Sequence, residues 1–416
     1  MLHFDQKKTY LRLAASALLL TAVFALNTSR AQLVILLSRN ASSTPPTPEP
    51  SPQPDLSALL RAASSTPRSV EWTPTPQYTA PARRHSKQNI ATRVGVIEVG
   101  GEQLIAVLRG SSGDQVLGSD DSISGNARQK PFLSPDGKLL SLTSSPVRSH
   151  SSVTTSLVGA DGNEIVAPRV GSFLSWLPDS SGALLYLSEF DHKEGKKIFV
   201  LDKDGRYYDL GLPVWTYSAD VSPTDGTIVF SRANEYTDAS NLWLRKNGQD
   251  SPLVRGDDEI FAWLRWSPTG DKIAFLRSKI GAKTPDEARQ LWVVNPDGTG
   301  ATKIAGNVLW AYPPVWSPDG RKLLIAVNEN GGANSIAVDY ETLESNISEF
   351  EIASQLLRKL ASFHGARALY PSYSGDGGSV VFVADQSGVD EVWRIKGGKL
   401  EQLTNDGTPK QYPILP

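Results

Sequence analysis

Side-chain catalysis needs a nucleophile, an acid–base pair or a metal, and the chain offers little for any of them. Its five histidines are His3, His85, His150, His192 and His364, and no two share metal-ligand spacing. A catalytic metal needs about three protein ligands, so only convergence of His150, His192 and His364 in space would build one. Exposed loop histidines are the plainer reading. There are no cysteines, which excludes disulfides, zinc–thiolate sites, iron–sulfur clusters and cysteine nucleophiles. No Gly-x-Ser-x-Gly elbow occurs, so a hydrolase serine on a strand-to-helix turn is not expected. Asp202-Lys203-Asp204-Gly205 invites a calcium reading, yet the further oxygen ligands and twelfth-position Glu of an EF-hand are missing. Asp and Gly are default turn formers, and Asp120-Asp121 and Asp257-Asp258-Glu259 read as solvated loops. The expectation is a chain with no catalytic residue, no metal, no cofactor and no enzymatic activity.

A second group of residues suits recognition better than catalysis. Trp215 and Tyr217, Phe261 and Trp263, Trp310 and Tyr312, Tyr370 and Tyr412 each stand at or just before an apolar segment. Aromatic side chains gathered on a concave face are the usual anchors of a binding surface. The alternative is that several of them wedge into the core, where large aromatics most often sit.

One repeated unit must position them. It runs Pro131-Phe132-Leu133-Ser134-Pro135-Asp136-Gly137, then Leu174-Ser175-Trp176-Leu177-Pro178-Asp179, then Val221-Ser222-Pro223-Thr224-Asp225-Gly226. It continues as Trp266-Ser267-Pro268-Thr269-Gly270, Val315-Trp316-Ser317-Pro318-Asp319-Gly320 and Tyr373-Ser374-Gly375-Asp376-Gly377. The copies recur at roughly 43 to 57 residues, a blade-length period. Proline presets the first turn dihedral, and Asp-Gly or Thr-Gly tolerates the rest. Apolar segments follow each turn, such as Lys272–Leu276, then a third strand such as Leu291–Val294 and a second turn such as Asp297-Gly298. Four antiparallel strands per unit make a propeller blade.

These motifs resemble the Trp-Ser-Pro-Asp-Gly repeats of the TolB-like β-propeller family, found in TolB and in prolyl-oligopeptidase propeller domains. The resemblance covers about residues 93–416 and implies an all-β propeller of four-stranded blades. Arg93–Val99, Gln103–Arg109 and Gln115–Gly118 read as the second, third and fourth strands of a further unit. Tyr412-Pro413-Ile414-Leu415 matches Tyr370-Pro371-Ser372-Tyr373 and would supply its innermost strand, closing the ring without a free edge. Seven blades are therefore expected, or six if the upstream strands are peripheral. Residues 345–364 read as an insertion in which Glu351-Ile352, Leu356-Leu357 and Leu360 have the spacing of a short amphipathic helix.

The N-terminus reads differently. Lys7, Lys8 and Arg12 flank the uncharged apolar run Leu13–Leu26, shorter than the ~20 residues that span a bilayer core. Residues 1–39 are thus a cleaved signal peptide or, with Leu33–Leu37, a retained membrane anchor. Residues 40–88 carry Pro45, Pro46, Pro48, Pro50, Pro52, Pro54, Pro67, Pro74, Pro76 and Pro81, the composition of a semi-rigid spacer. The propeller is expected over 89–416, and no hydrolase domain is expected beside it. With 42 basic and 44 acidic residues, nothing recommends nucleic acid as a partner. Contact with a membrane is expected only through the N-terminal segment.

The family resemblance implies a propeller outside the cytoplasm that docks cell-envelope proteins through its channel face. TolB's own N-terminal α/β domain is replaced here by the spacer, so TolB's translocation role does not carry over. A carbohydrate or small-ligand sensor is the second class, and a metal-dependent propeller lyase or lactonase the third.

Overall fold

The computed structural model describes residues 92–109, 115–116, 127–146, 153–159, 162–187, 197–233, 239–332, 335–340 and 342–416. The signal or anchor segment, the spacer, His150 and His192 lie outside them. The described residues form seven four-stranded antiparallel sheets. In blades 2 to 7 the strands are laid down in chain order, and the innermost begin with Ala127–Leu133, Ser172–Trp176, Thr216–Val221, Glu259–Trp266, Val315–Trp316 and Ala368–Tyr373.

The repeated motif is the hinge between the first and second strands. In blade 2 the Ser134 hydroxyl donates to Asp136 Oδ1 at 2.6 Å, while the Leu139 amide donates to Ser134 Oγ at 2.9 Å. The same bonds recur from Ser317 to Asp319 and from Ser374 to Asp376, at 2.6 Å each. Gly137 and Gly320 take φ of 70° and 71° there, which a side chain would resist. Blade 3 manages with Ser180 at φ 59°. The second strands that follow are mostly buried: Ser379–Ala384 is buried at every position. Such strands lie between two neighbouring blades and bury both faces, as in the cluster of Val94, Val107, Leu140, Leu142 and Val158 joining blades 1 and 2.

Ring closure follows the expected route, with one correction inside blade 1. Lys410–Ile414 forms its innermost strand and pairs with Glu102–Arg109, Ile414 opposite Ile105 and Lys410 opposite Leu108. The next strand outward is Thr92–Val99, and Gln115–Val116 pairs outside it. The first two upstream strands therefore occupy the third and second places, the reverse of the expected order. Leu104, Ala106 and Val107 are fully buried, whereas Glu98 is exposed; the more apolar segment takes the more interior place.

The seam is also charged. Lys410 Nζ donates to Glu391 at 2.9 Å, to Asp406 at 2.6 Å and to the Thr408 carbonyl at 2.8 Å, with Lys410 and Glu391 both buried. Arg394 on blade 7 pairs with Glu102 on blade 1.

Residues 345–364 hold no helix. Ser345–Glu351 and Leu356–Ala361 are the third and fourth strands of blade 6, paired Glu351 to Leu356. The extra length lies upstream, between Lys322–Asn328 and Ser345–Glu351. The helix among the described residues is Pro285–Ala288 in blade 5, capped by Thr284.

Candidate functional site

Antiparallel alternation sorts the connections between two faces. The Ser-Pro-Asp-Gly turns open on one, and the fourth-to-first connections and second-to-third loops open on the other. The aromatic residues gather on the second face, at the entrances of the innermost strands.

Their placement divides them. Phe261, Trp263, Trp310, Tyr312 and Tyr370 are buried, while Trp215, Tyr217 and Tyr412 are part-exposed. The buried set packs blade against blade. Trp263 Nε1 donates to the Trp310 carbonyl at 2.7 Å, and Phe261 shares a buried cluster with Val229 and Leu242 of blade 4. Tyr312, Tyr370 and Tyr412 form a chain across blades 6, 7 and 1, with centroids 5.2 and 4.1 Å apart. The Lys130 ammonium of blade 2 extends it, 5.7 Å from the Tyr412 ring centre. Burial pushes the Tyr312 and Tyr370 phenols well above their ordinary pKa, so both stay protonated near neutrality. For these five residues the wedge role describes the contacts, and a ligand arriving from solvent meets Trp215, Tyr217 and Tyr412 first.

Trp215 has an unusual backbone. It takes φ 69° beside Val214, which is 36% exposed. Its carbonyl accepts from the Ala233 amide at 3.0 Å, and the Thr216 hydroxyl donates to the Pro213 carbonyl at 2.7 Å. Trp263, Tyr370 and Tyr412 share positive φ, at 53°, 54° and 50°. Strand registers shift between Ala262 and Arg265 and between Leu369 and Ser372. A bulge at the strand entrance thus turns these rings toward their neighbours.

Among the described residues no group of three or more His, Asp or Glu is placed to hold a metal. His364 is exposed, and His150 and His192 fall outside the described residues. Two charged residues stand at the same level of adjacent innermost strands, Asp220 in blade 4 and Arg265 in blade 5. Burial pushes the Asp220 carboxyl up and the Arg265 guanidinium down from their usual values. The signal for them is positional, each lying two residues before the turn serine.

A seven-bladed β-propeller is the class that this fold defines. No protein-family model matches the chain. The chain is 32% identical over 115 residues to the uncharacterized peptidase YuxL of Bacillus subtilis (strain 168). That match covers 26% of the chain and 17% of the relative, so the chain spans under a fifth of that protein's length. Among solved structures it resembles TolB from Acinetobacter baumannii, at TM-score 0.43 and 13% identity, covering 78% of this chain and 82% of that one. It also resembles the β-propeller domain of the trilobed protease from Pyrococcus furiosus, at TM-score 0.48 and 14% identity, covering 78% and 97%.

The peptidase relative corrects the expectation that the chain is not an enzyme. That expectation rested on a missing nucleophile elbow and missing metal ligands. An absent elbow speaks against one hydrolase architecture, whereas a fold hosts activities through sites grafted onto it in many ways.

Proposed function

We propose that this chain is an extracytoplasmic recognition propeller that docks a polypeptide of the cell envelope on the face where its fourth-to-first connections gather. The observation carrying this reading is Trp215, a bulky residue at φ 69° with its ring part-exposed beside Val214. A left-handed backbone costs a side-chain-bearing residue roughly 1–2 kcal/mol, and such strain clusters at ligand clamps and functional sites. Tyr217 and Tyr412 extend the exposed aromatic surface. The charged flank and apolar run of residues 1–39 support export, and the proline-rich 40–88 stretch supports a spacer that holds the propeller away from a membrane. The peptidase relative supports polypeptide as the partner class.

The test is site-specific photo-crosslinking from position 214 in cells that express the chain. A discrete crosslinked polypeptide that disappears with Trp215→Ala, while the ring still folds, supports the proposal. Crosslinks unaffected by that substitution, or capture of glycan alone, contradict it.

A further inference from the structure

The residue two positions before the turn motif recurs at one level of every innermost strand. In blades 1 to 7 it is Ile414, Phe132, Ser175, Asp220, Arg265, Val315 and Ser372. Asp220, Arg265 and Val315 each pair with the matching residue of their second strand: Val229, Ala274 and Leu324. Ser175, Asp220 and Arg265 thus make a polar arc across three consecutive blades, and three of the other four positions are apolar.

The arc is partly satisfied from within. Asp220 Oδ2 accepts the Trp266 amide at 2.7 Å. Arg265 donates to the Leu264 carbonyl at 2.7 Å. Its other terminal nitrogen reaches the Leu174 carbonyl at 2.5 Å, two blades away, so the side chain runs past the Asp220 strand. Asp220 and Arg265 feel each other's charge yet form no ion pair within 4.0 Å.

Of two buried donors beside them, one is poorly aligned and one is unsatisfied. The Ser175 hydroxyl, on a residue 5% exposed, makes no hydrogen bond of standard geometry, although it lies near enough to Asp220 to favour the charged carboxylate. The Trp266 indole N–H has no partner either. Its counterparts do: Trp176 Nε1 donates to Phe132 O at 2.9 Å and Trp316 Nε1 to Arg265 O at 3.1 Å. By the same register the Trp266 partner would be the Asp220 carbonyl.

A buried carboxylate and a part-buried guanidinium, held apart with a spare indole donor beside them, complement a ligand carrying both charges. A neutral hydroxyl would satisfy their hydrogen bonds but leave both charges unmatched. We propose that the Ser175–Asp220–Arg265 arc of the channel wall binds a small zwitterion of the α-amino acid type, its ammonium toward Asp220 and its carboxylate toward Arg265. This site lies toward the turn end of the innermost strands, away from the aromatic entrances, and stands whether or not that face docks a polypeptide.

Titration of the purified full chain with glycine and L-alanine, followed by Trp fluorescence and calorimetry, tests it. Acetate, methylammonium and glycerol serve as single-charge and uncharged probes. Saturable binding of the amino acids is expected, with each half-ligand at least tenfold weaker and glycerol silent. Asp220→Asn and Arg265→Gln should each weaken binding at least tenfold. Ser175→Ala, the variant least threatening to the fold, should weaken it several-fold with an unchanged melting temperature. Absence of binding at millimolar amino acid, equal affinity for glycerol, wild-type affinity in Ser175→Ala, or a high-resolution structure with glycine showing only water in the arc would each overturn it.

Discussion

The indole N–H of Trp316 in blade 6 donates to the main-chain carbonyl of Arg265 in blade 5 at 3.1 Å. Trp176 makes the corresponding bond to Phe132 at 2.9 Å, between blades 3 and 2. At blades 3 and 6 the tryptophan of the repeated motif therefore ties its blade to the one before, whereas Trp266 of blade 5 makes no such bond. Trp316→Phe keeps a ring and removes the bond, for an expected loss of about 1 kcal/mol. Trp316→Ala also opens a cavity, with an expected loss of about 3 kcal/mol. Denaturant midpoints at constant slope measure both.

The turn aspartates set an acid limit on stability. Hydrogen bonds from Ser134, Ser317 and Ser374 hold the Asp136, Asp319 and Asp376 carboxyls below the ordinary value. A folded-state pKa below the unfolded one contributes stability above about pH 4 and loses it as pH falls through the folded value. Replacing all three serines by alanine should lift those folded values and move the acid-unfolding midpoint to higher pH. An unchanged midpoint by circular dichroism would separate the motif from acid stability.

Closure rests on the buried Lys410–Glu391 pair. Removing one partner of such a pair leaves a bare buried charge and costs about 3–5 kcal/mol. Lys410→Met should fall by that amount, and the double change with Glu391→Leu should recover most of it. Melting temperatures of the three proteins give the comparison.

Strain at Trp215 predicts opposite effects on stability and binding. Trp215→Gly frees the backbone at φ 69°, so stability should hold or rise by about 1 kcal/mol, while partner crosslinking should vanish. A variant that lost stability and kept its partner would point to packing as the residue's purpose.

The repeat was legible because a Ser-Pro-Asp-Gly turn is local chemistry: Ser134, Asp136 and Gly137 satisfy one another within four residues. The innermost place of residues 412–415 in blade 1 was legible through likeness to blade 7 alone. The exchange of Thr92–Val99 and Glu102–Arg109 was not, since either segment reads as a strand and burial between blades decides which lies inside. Leu356 and Leu357 suggested a helix face, yet they are 44% and 37% exposed on an outer strand, where apolar spacing carries no helical information. Non-enzymatic character was read from missing motifs, and only comparison with the peptidase relative could correct it. Asp220 and Arg265 lie in unrelated stretches of chain, and ring geometry alone sets them side by side.

The closed ring carries the rest of the account, and a chain without cysteines offers a clean background for testing it. Val107 and Gln411 face each other where the last strand enters blade 1. Val107→Cys with Gln411→Cys should oxidise within one chain, giving a faster-migrating band on non-reducing gels and a higher melting temperature. Cysteines that stay free, or that link only separate chains, would contradict closure of the propeller by its own C-terminus.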